Sequence, residues 1–465
     1  MSKQKMIYEC SECGYESMRW MGKCPDCGEW NTLIEKQIVL SSKTDDSQDQ
    51  ILSTAEPILL KDVKDEIDGR TLTGIGELDR VLGGGITKGS VMLFAGDPGI
   101  GKSTLLLQVL SKLSNEEFKT LYVTGEESNY QIKARAKRLN ILNNKLLVLS
   151  DTYIENIIKH IDKNEPDFIV IDSIQTMHKQ SHSSSPGSVP QIRECASMLI
   201  KHAKSTGSSI FLVGHVTKEG TLAGPKVLEH MVDVVMYFEG DKQHEYRLLR
   251  TAKNRYGSVN ELGVFQMSEQ GMEEVENPSE TLISNRAKNV SGSIVFCALQ
   301  GTRPILVDIQ GLSTTSFYPV PKRTVNGLDY SRISMILAIL EKRAGKKLYN
   351  QDVFLNVAGG ISLDDPAADL AIAMAIVSSL ENKSINNKLT VMGEIGLSGE
   401  IRAISQPQRR INECERLGYD IIILPKSIRN KVKGKSSTKL LFVENIVQAF
   451  SLLDLLNKED DSIER

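Results

Sequence analysis

The sequence predicts an α/β chain built around a mainly parallel sheet with helices on both faces, preceded by a small four-cysteine ribbon and followed by an α+β domain. Three observations lead there. Residues Gly96, Asp97, Pro98, Gly99, Ile100, Gly101, Lys102, Ser103 and Thr104 fit the G-x-x-x-x-G-K-[ST] phosphate loop at every fixed position. Apolar runs of strand length alternate with amphipathic helical segments on either side of that loop. Two Cys-x-x-Cys pairs, ten residues apart, open the chain. The expected boundaries are a ribbon at 1–34, a linker at 35–68, a core domain at 69–277 and a second domain at 278–465.

The ribbon comes first. Cys10 and Cys13, then Cys24 and Cys27, have metal-ligand spacing, and two such hairpins offer four thiolates tetrahedrally to Zn²⁺. Gly14 and Gly28 follow the second cysteine of each pair, where the chain turns sharply beneath the metal. The only tryptophans, Trp20 and Trp30, are expected to cover the metal and supply a core too small to form alone. The spacing leaves open whether the ribbon contacts DNA, a protein or its own chain. From Glu35 to about Asp68 the composition turns to Ser, Thr, Asp, Lys and Gln, which reads as a flexible linker.

Thr73 to Ile86 holds a short helix closed by glycines, and Ser90–Ala95 is the strand that feeds the phosphate loop. Leu105–Leu110 continues as a buried helix, so the loop has its strand–loop–helix context. Its glycines turn backbone N–H groups toward phosphates, Lys102 reaches the outer phosphates of a nucleoside triphosphate, and Ser103 ligates Mg²⁺. Next come strand Thr120–Thr124, a helix near Tyr130–Leu139, strand Lys145–Leu149, a helix near Tyr153–Lys163 and strand Asp167–Ile171. Phe168-Ile169-Val170-Ile171-Asp172-Ser173 has the form of a Walker B strand, with Asp172 emerging beside the loop to hold the Mg²⁺ water shell. Glu126, in Gly125-Glu126-Glu127-Ser128, is the candidate base for the attacking water, and Glu127 suits a helix N-terminus.

Composition bounds the rest. At 465 residues the chain exceeds one domain. A net charge of −3 neither marks nor excludes a nucleic-acid binder, because a channel can concentrate basic groups locally. The apolar runs fall short of the roughly 18 residues of a membrane span, and no signal peptide is recognisable, so a cytoplasmic protein is expected. Cys195, Cys297 and Cys414 lie singly and read as buried thiols.

These motifs resemble the RecA-like ATPase core and, more closely, the bacterial RadA (Sms) family. The ribbon, residues 96–104, Gly125–Ser128 and Ile171–Thr176 match it in order, and Lys253-Asn254-Arg255-Tyr256-Gly257 is similar to its Lys-Asn-Arg-Phe-Gly signature with Tyr for Phe. The resemblance covers nearly the whole chain. It implies that Lys253 and Arg255 act as fingers on the ATP of a neighbouring subunit, hence a homo-oligomeric ring, most simply a hexamer. Read from the residues alone, the two cations at i and i+2 of a strand point the same way, and a solvated basic edge strand is the plainer alternative.

Two polar segments, Met177–Ser188 and His215–Lys226, follow strands of the core. In RecA-like rings the matching loops grip single-stranded DNA, which makes Lys179, Lys218 and Lys226 candidate phosphate contacts and His215 a candidate γ-phosphate sensor; a core histidine is the alternative. Neither segment holds an aromatic residue.

From about Pro278 the pattern is strands Ser293–Leu299 and Pro304–Ile309, helix Leu328 to about Lys342, strand Val353–Val357, helix Pro366–Leu380 and strand Leu389–Ile395. It resembles the proteolytic domain of Lon, with Ala367 at the place of the nucleophilic serine and Gln408 about where the paired lysine belongs, so peptide hydrolysis is not expected. Arg343, Lys346, Lys347, Arg409 and Arg410 are candidate contacts to duplex DNA. The resemblance implies a DNA-dependent ATPase and helicase of recombinational repair that translocates on single-stranded DNA and promotes branch migration. Its partners would be single-stranded and branched DNA and a strand-exchange recombinase. A nucleotide-switched DNA clamp and an ATP-dependent protease are the alternatives.

Overall fold

The computed structural model describes residues 4–10, 16–25, 28–39, 59, 69–141, 145–180, 184–215, 227–240, 246–284, 286–432 and 437–453. Cys13, Cys27, Gly14, Lys218, Lys226 and most of the 35–68 segment lie outside them. The chain divides into two compact units, Met1–Glu239 with Arg247–Glu274, and Gly240–Tyr246 with Val275–Arg465.

At the N-terminus β1 (Gln4–Cys10) pairs antiparallel with β2 (Glu16–Ser17) and β3 (Leu33–Val39). β3 pairs with β1 along its whole length, from Cys10↔Leu33 to Gln4↔Val39, so the strand runs on into the first residues expected to be linker. Those residues gain ladder hydrogen bonds that composition does not reveal. Cys10, Cys24 and Leu33 are buried together, with Tyr8 and Met21 against them. These residues take the interior, and the tryptophans do not: Trp20 is 56% and Trp30 67% exposed, flanking Gly22 instead. The expectation that the indoles supply this small core is therefore corrected: Leu33, Tyr8 and Met21 do so.

The rest of the first unit is a nine-stranded sheet. In chain order its elements are α1 (Gly76–Leu82), β4 (Val91–Gly96), α2 (Lys102–Asn115), β5 (Thr120–Thr124), α3 (Asn129–Arg138), β6 (Leu146–Ser150), α4 (Ile154–Asn164), β7 (Phe168–Asp172), α5 (Val189–Thr206), β8 (Ser209–His215), β9 (Val234–Glu239), β10 (Tyr246–Asn254), β11 (Leu262–Ser268) and β12 (Gly271–Glu274). The spatial order is β12-β11-β10-β9-β4-β8-β7-β5-β6, and the six strands from β9 to β6 are parallel. Side chains alternate between two buried faces. Met92, Phe94, Tyr122, Val170 and Phe211 meet α1, α2 and α3, whereas Leu93, Val123, Ile171 and Leu212 meet α4 and α5. This is the doubly covered parallel sheet that the alternating pattern predicts.

The second unit contains α6 (Pro278–Ile283), β13 (Ser293–Gln300), β14 (Arg303–Thr315), β15 (Arg323–Asn326), α7 (Tyr330–Ala344), β16 (Gln351–Val357), α8 (Asp369–Glu381), β17 (Leu389–Val391), β18 (Glu394–Ile395), β19 (Ile401–Arg402), α9 (Pro407–Arg416), β20 (Ile421–Pro425) and β21 (Lys439–Val443). Seven strands form a mixed sheet in the order β15-β16-β14-β13-β17-β20-β21, and β18 pairs with β19. The expected strand Leu389–Ile395 is thus two strands: the chain breaks at Gly393, whose N–H bonds to the Ala367 carbonyl, before β18 turns to β19. The expected helix at Pro366 begins as a single tight turn, Pro366–Ala368, held by the Asp365 carboxylate on the Ala367 N–H.

Arg410 corrects a further expectation. It is fully buried, donates to the Cys297 and Ser405 carbonyl oxygens and pairs with Asp365 at 2.7 Å, so it cannot contact DNA. Helical spacing alone placed it on a charged surface, whereas α9 turns it inward. Arg410→Ala leaves Asp365 without its counter-charge and should cost about 3–5 kcal/mol. Calorimetry checks this, and Arg410→Met combined with Asp365→Ala should lose less than the two single changes added together.

Candidate active site

Four neighbouring strands bring the site together. β4 ends at Gly96, β8 at His215, β7 at Asp172 and β5 at Thr124, in the order β4-β8-β7-β5, with Gly96 opposite His215 and Thr124 opposite Asp172. All are C-terminal ends of parallel strands, the edge at which open α/β sheets bind ligands.

Gly96 leaves β4 at φ 152°, and a Cβ there would stand 2.8 Å from the Phe238 carbonyl oxygen, so only glycine fits. The loop enters α2 through Gly101, at φ 117°. Helix α2 has no side-chain cap and no acidic residue in its first turn, which leaves its N–H groups and positive dipole end open to an anion. Lys102 is buried, with its ammonium on the Gly96 and Asp97 carbonyl oxygens at 2.7 and 2.9 Å. Burial lowers its pKa to about 8, while Asp172, Asp97 and Glu126 favour the charged form.

Asp172 is buried with its two oxygens in different situations. Oδ2 accepts from the Tyr122 hydroxyl, and Oδ1 has no partner among the described residues. An orphaned buried carboxylate oxygen costs about 1–3 kcal/mol. Beside an ammonium and a helix N-terminus, it fits a Mg²⁺ ion held through its water shell, with the Ser103 hydroxyl as a further oxygen. The Tyr122 hydroxyl thereby ties β5 to β7 at the strand ends. Sequence reasoning missed Tyr122, which lies within an apolar strand; the available signal was that a tyrosine on a fully buried strand needs a partner for its hydroxyl.

The turn after β5 sorts the two glutamates. Thr124 Oγ1 accepts the N–H groups of Glu126 and Glu127 at 3.2 and 3.0 Å, Ser128 caps α3 in a capping box with Gln131, and Glu127 pairs with Arg135. Glu126 stays partly exposed at the strand ends, where its Oε1 accepts from Ser173 Oγ at 2.5 Å and His215 Nε2 at 3.0 Å. The His215 hydrogen bond is the main cause that holds the Glu126 carboxyl down at about 2, against desolvation and with help from Ser173 and Lys102. Glu126, Asp172 and His215 offer ligand atoms within 4.8 Å of one another. His215 is half-buried, its carbonyl accepts from Gln175 at 3.2 Å, and its Nδ1 has no partner among the described residues. Ser173 and Gln175 were also not foreseen.

Lys253 and Arg255 lie elsewhere. β10 runs antiparallel to β9 with Asn254 opposite Val234, and Val234 lies opposite Met92 at the start of β4. The pair therefore sits at the N-terminal edge of the parallel strands, about 13 Å along β4 from Gly96. The strand ends at Asn254, between the two cations, so the i, i+2 geometry expected along one strand does not apply to the pair. Lys253 Nζ donates to the Glu229 and Val232 carbonyl oxygens at 2.7 and 2.9 Å, and Arg255, past the strand end, pairs with Asp233 at 3.2 Å. Lys179 pairs with Glu194 at 3.2 Å.

In the second unit Ala367 is buried, and Gln408 donates to Asn412 at 2.9 Å. Beside Ala367, a cavity of about 150 Å³ is bordered by Asp329, Asp365 and the ion pair of Arg332 with Asp369. No helix among the described residues is long and apolar enough to cross a membrane.

Three stretches of the chain match known protein families. Residues 8–35 match the rubredoxin metal binding domain, residues 54–221 the AAA domain, and residues 310–428 the subunit ChlI of Mg-chelatase. The DNA repair protein RadA of Halalkalibacterium halodurans is 48% identical over 428 residues, covering 91% of this chain and 93% of that protein. The DNA repair protein RadA of Bacillus subtilis is 46% identical over 451 residues, covering 97% and 98%. Among solved structures, a KaiC-like protein from Pyrococcus horikoshii is 19% identical with a TM-score of 0.38, covering 45% of this chain and 100% of that one.

His215→Ala removes the chief cause of the low Glu126 pKa, so the carboxyl should rise toward or beyond its ordinary 4.5. A carboxyl is ionised only above its own pKa, and the acid limb of ATP hydrolysis should therefore move to higher pH in the variant. Rate profiles from acidic to neutral pH check the shift; an unmoved limb would show that another group controls it.

Proposed function

The chain belongs to the RadA family of DNA repair proteins, and on that premise we propose that it is a ring-forming motor that hydrolyses ATP, moves along single-stranded DNA and drives branch migration of strand-exchange intermediates. It is a phosphate-loop ATPase that uses ATP with Mg²⁺, and its ribbon domain takes zinc. The observation that carries the proposal is the separation of two cation sets to opposite edges of one sheet: Lys102 beside Asp172 and Glu126, and Lys253 with Arg255.

In this reading residues 96–104 and the first N–H groups of α2 hold the phosphates, and Lys102 neutralises the outer ones. Ser103 and Asp172 hold Mg²⁺, which offsets charge on the phosphates, and Tyr122 fixes the orientation of Asp172. Glu126 is a weak base, and in a loose phosphoryl transfer its work is to orient water rather than to strip it of a proton. His215 links Glu126 to the 216–226 segment, whose Lys218 and Lys226, with Lys179, meet DNA phosphates; to do so Lys179 must exchange Glu194 for the strand. Lys253 and Arg255 are too far from their own loop to touch its ATP and serve the site of the next subunit, in a hexamer. Cys10, Cys13, Cys24 and Cys27 hold zinc. Ala367 and the cavity beside it offer no nucleophile, so the second unit acts as a scaffold for assembly and DNA contact. A strand-exchange recombinase is the expected protein partner.

Steady-state ATP hydrolysis with and without single-stranded DNA tests this reading, with Lys102→Ala as the inactive control. A several-fold stimulation is expected, and unwinding of a forked duplex separates a motor from a nucleotide-switched clamp. Mixing Lys102→Ala with Lys253→Ala subunits, each inactive alone, should restore part of the activity, because one subunit supplies the finger and the other the phosphate loop. No recovery at any ratio would sink the assignment in trans. Cys10→Ser should lower the bound zinc measured by elemental analysis while leaving DNA-free hydrolysis near its original rate.

A further inference from the structure

One end of the second unit carries aromatic rings and cations together. The Ser316 N–H donates to the Asn350 carbonyl at 2.8 Å, and the Arg323 guanidinium donates to the Gln351 carbonyl and, at 3.1 Å, to the Leu348 carbonyl. Residues 316–323 and 348–351 thus form one surface. On it Phe317 is 95%, Val320 79%, Tyr349 68% and Tyr318 60% exposed. Side chains of this size gathered at one place mark an interaction site. Pro319 and Pro321 stiffen the tip, which limits the entropy lost when it is ordered by a partner.

These two segments, with the residue before the second, carry Lys322, Arg323 and Lys347, against one adjoining carboxylate, Asp352, which accepts from the Lys322 N–H. Lys322 Nζ stands 4.6 Å from the centre of the Tyr318 ring, and Lys346 is paired with Glu381. Two of the three cations on the tip are lysines, a residue depleted in protein–protein interfaces and well suited to phosphate contact. Exposed rings beside a surplus of cations are the pattern of single-strand binding, in which bases stack on aromatic faces and ammonium groups follow the backbone.

We propose that this tip, Phe317, Tyr318 and Tyr349 with Lys322 and Lys347, stacks the bases of single-stranded DNA. The proposal rests on the DNA-dependent reading above and deepens it, because the 177–188 and 216–226 segments hold no Phe, Tyr or Trp. The second unit then supplies a salt-dependent grip with little base preference, independent of the nucleotide bound in the first.

The test uses the full-length Phe317→Ala protein, a fluorescent oligothymidylate followed by anisotropy, a 2-aminopurine oligonucleotide that reports stacking, and light scattering for assembly mass. Affinity should fall about tenfold. The 2-aminopurine response should be lost, assembly mass and DNA-free hydrolysis should be unchanged, and Phe317→Trp should bind like the original. Lys347→Gln should lower the slope of affinity against salt by about one ion. Unchanged affinity in Phe317→Ala overturns the proposal. So does a loss of affinity that follows a loss of assembly mass, which would make the tip a contact between copies. Failure of the unaltered protein to bind any single strand would instead strike the DNA-dependent reading itself.

Discussion

The nucleotide edge depends on gathering one lysine and two carboxylates at the strand ends above two apolar cores. Lys102 and Asp172 are buried, and neither is neutralised by a direct bond to the other. Each is held instead by other partners: backbone carbonyls for Lys102, the Tyr122 hydroxyl for Asp172, Ser173 and His215 for Glu126. In such surroundings electrostatic interactions are strong, and unsatisfied ones are costly. The packed faces around Phe94, Tyr122 and Leu93 tolerate that cost because they fix the strand ends that carry these groups. A phosphate chain with its cation is the ligand that would satisfy every group at once.

The second unit handles buried charge in the opposite way. Arg410 meets Asp365, and Arg332 meets Asp369 through two bonds, while the Ile395 N–H fills a remaining acceptor position. Ala367 lies among these satisfied groups and contributes a methyl. The contrast between the units is therefore one of surplus: the first retains bonding capacity at its sheet edge, and the second has committed it to holding its own helices to its sheet.

Much of the active edge was legible because phosphate binding is local. Glycines that the backbone requires, a lysine and a serine at fixed offsets, and an aspartate ending an apolar run all lie in contiguous stretches, and Glu126 could be told from Glu127 by the helix start at Ser128. Tyr122 and Ser173 were not legible, since their roles arise from strands that meet only in the sheet. Arg410 was misread for the same reason: its sequence neighbours Gln408, Arg409 and Asn412 suggest a wet helix, and only the packing of α9 on β13 turns it inward. The continuation of β3 to Val39 depended on a partner strand about 30 residues earlier in the chain, and composition carries no trace of such pairing.

The placement of Lys253 and Arg255 has a consequence for catalysis as a whole. On the proposed assignment each copy is a donor at one edge and a recipient at the other, so the contact between copies is heterologous and can be closed only by repetition around an axis. No isolated copy then owns a complete active site. Dilution becomes an inhibitor in its own right, and hydrolysis cannot begin before assembly, which protects the cell's ATP from idle subunits.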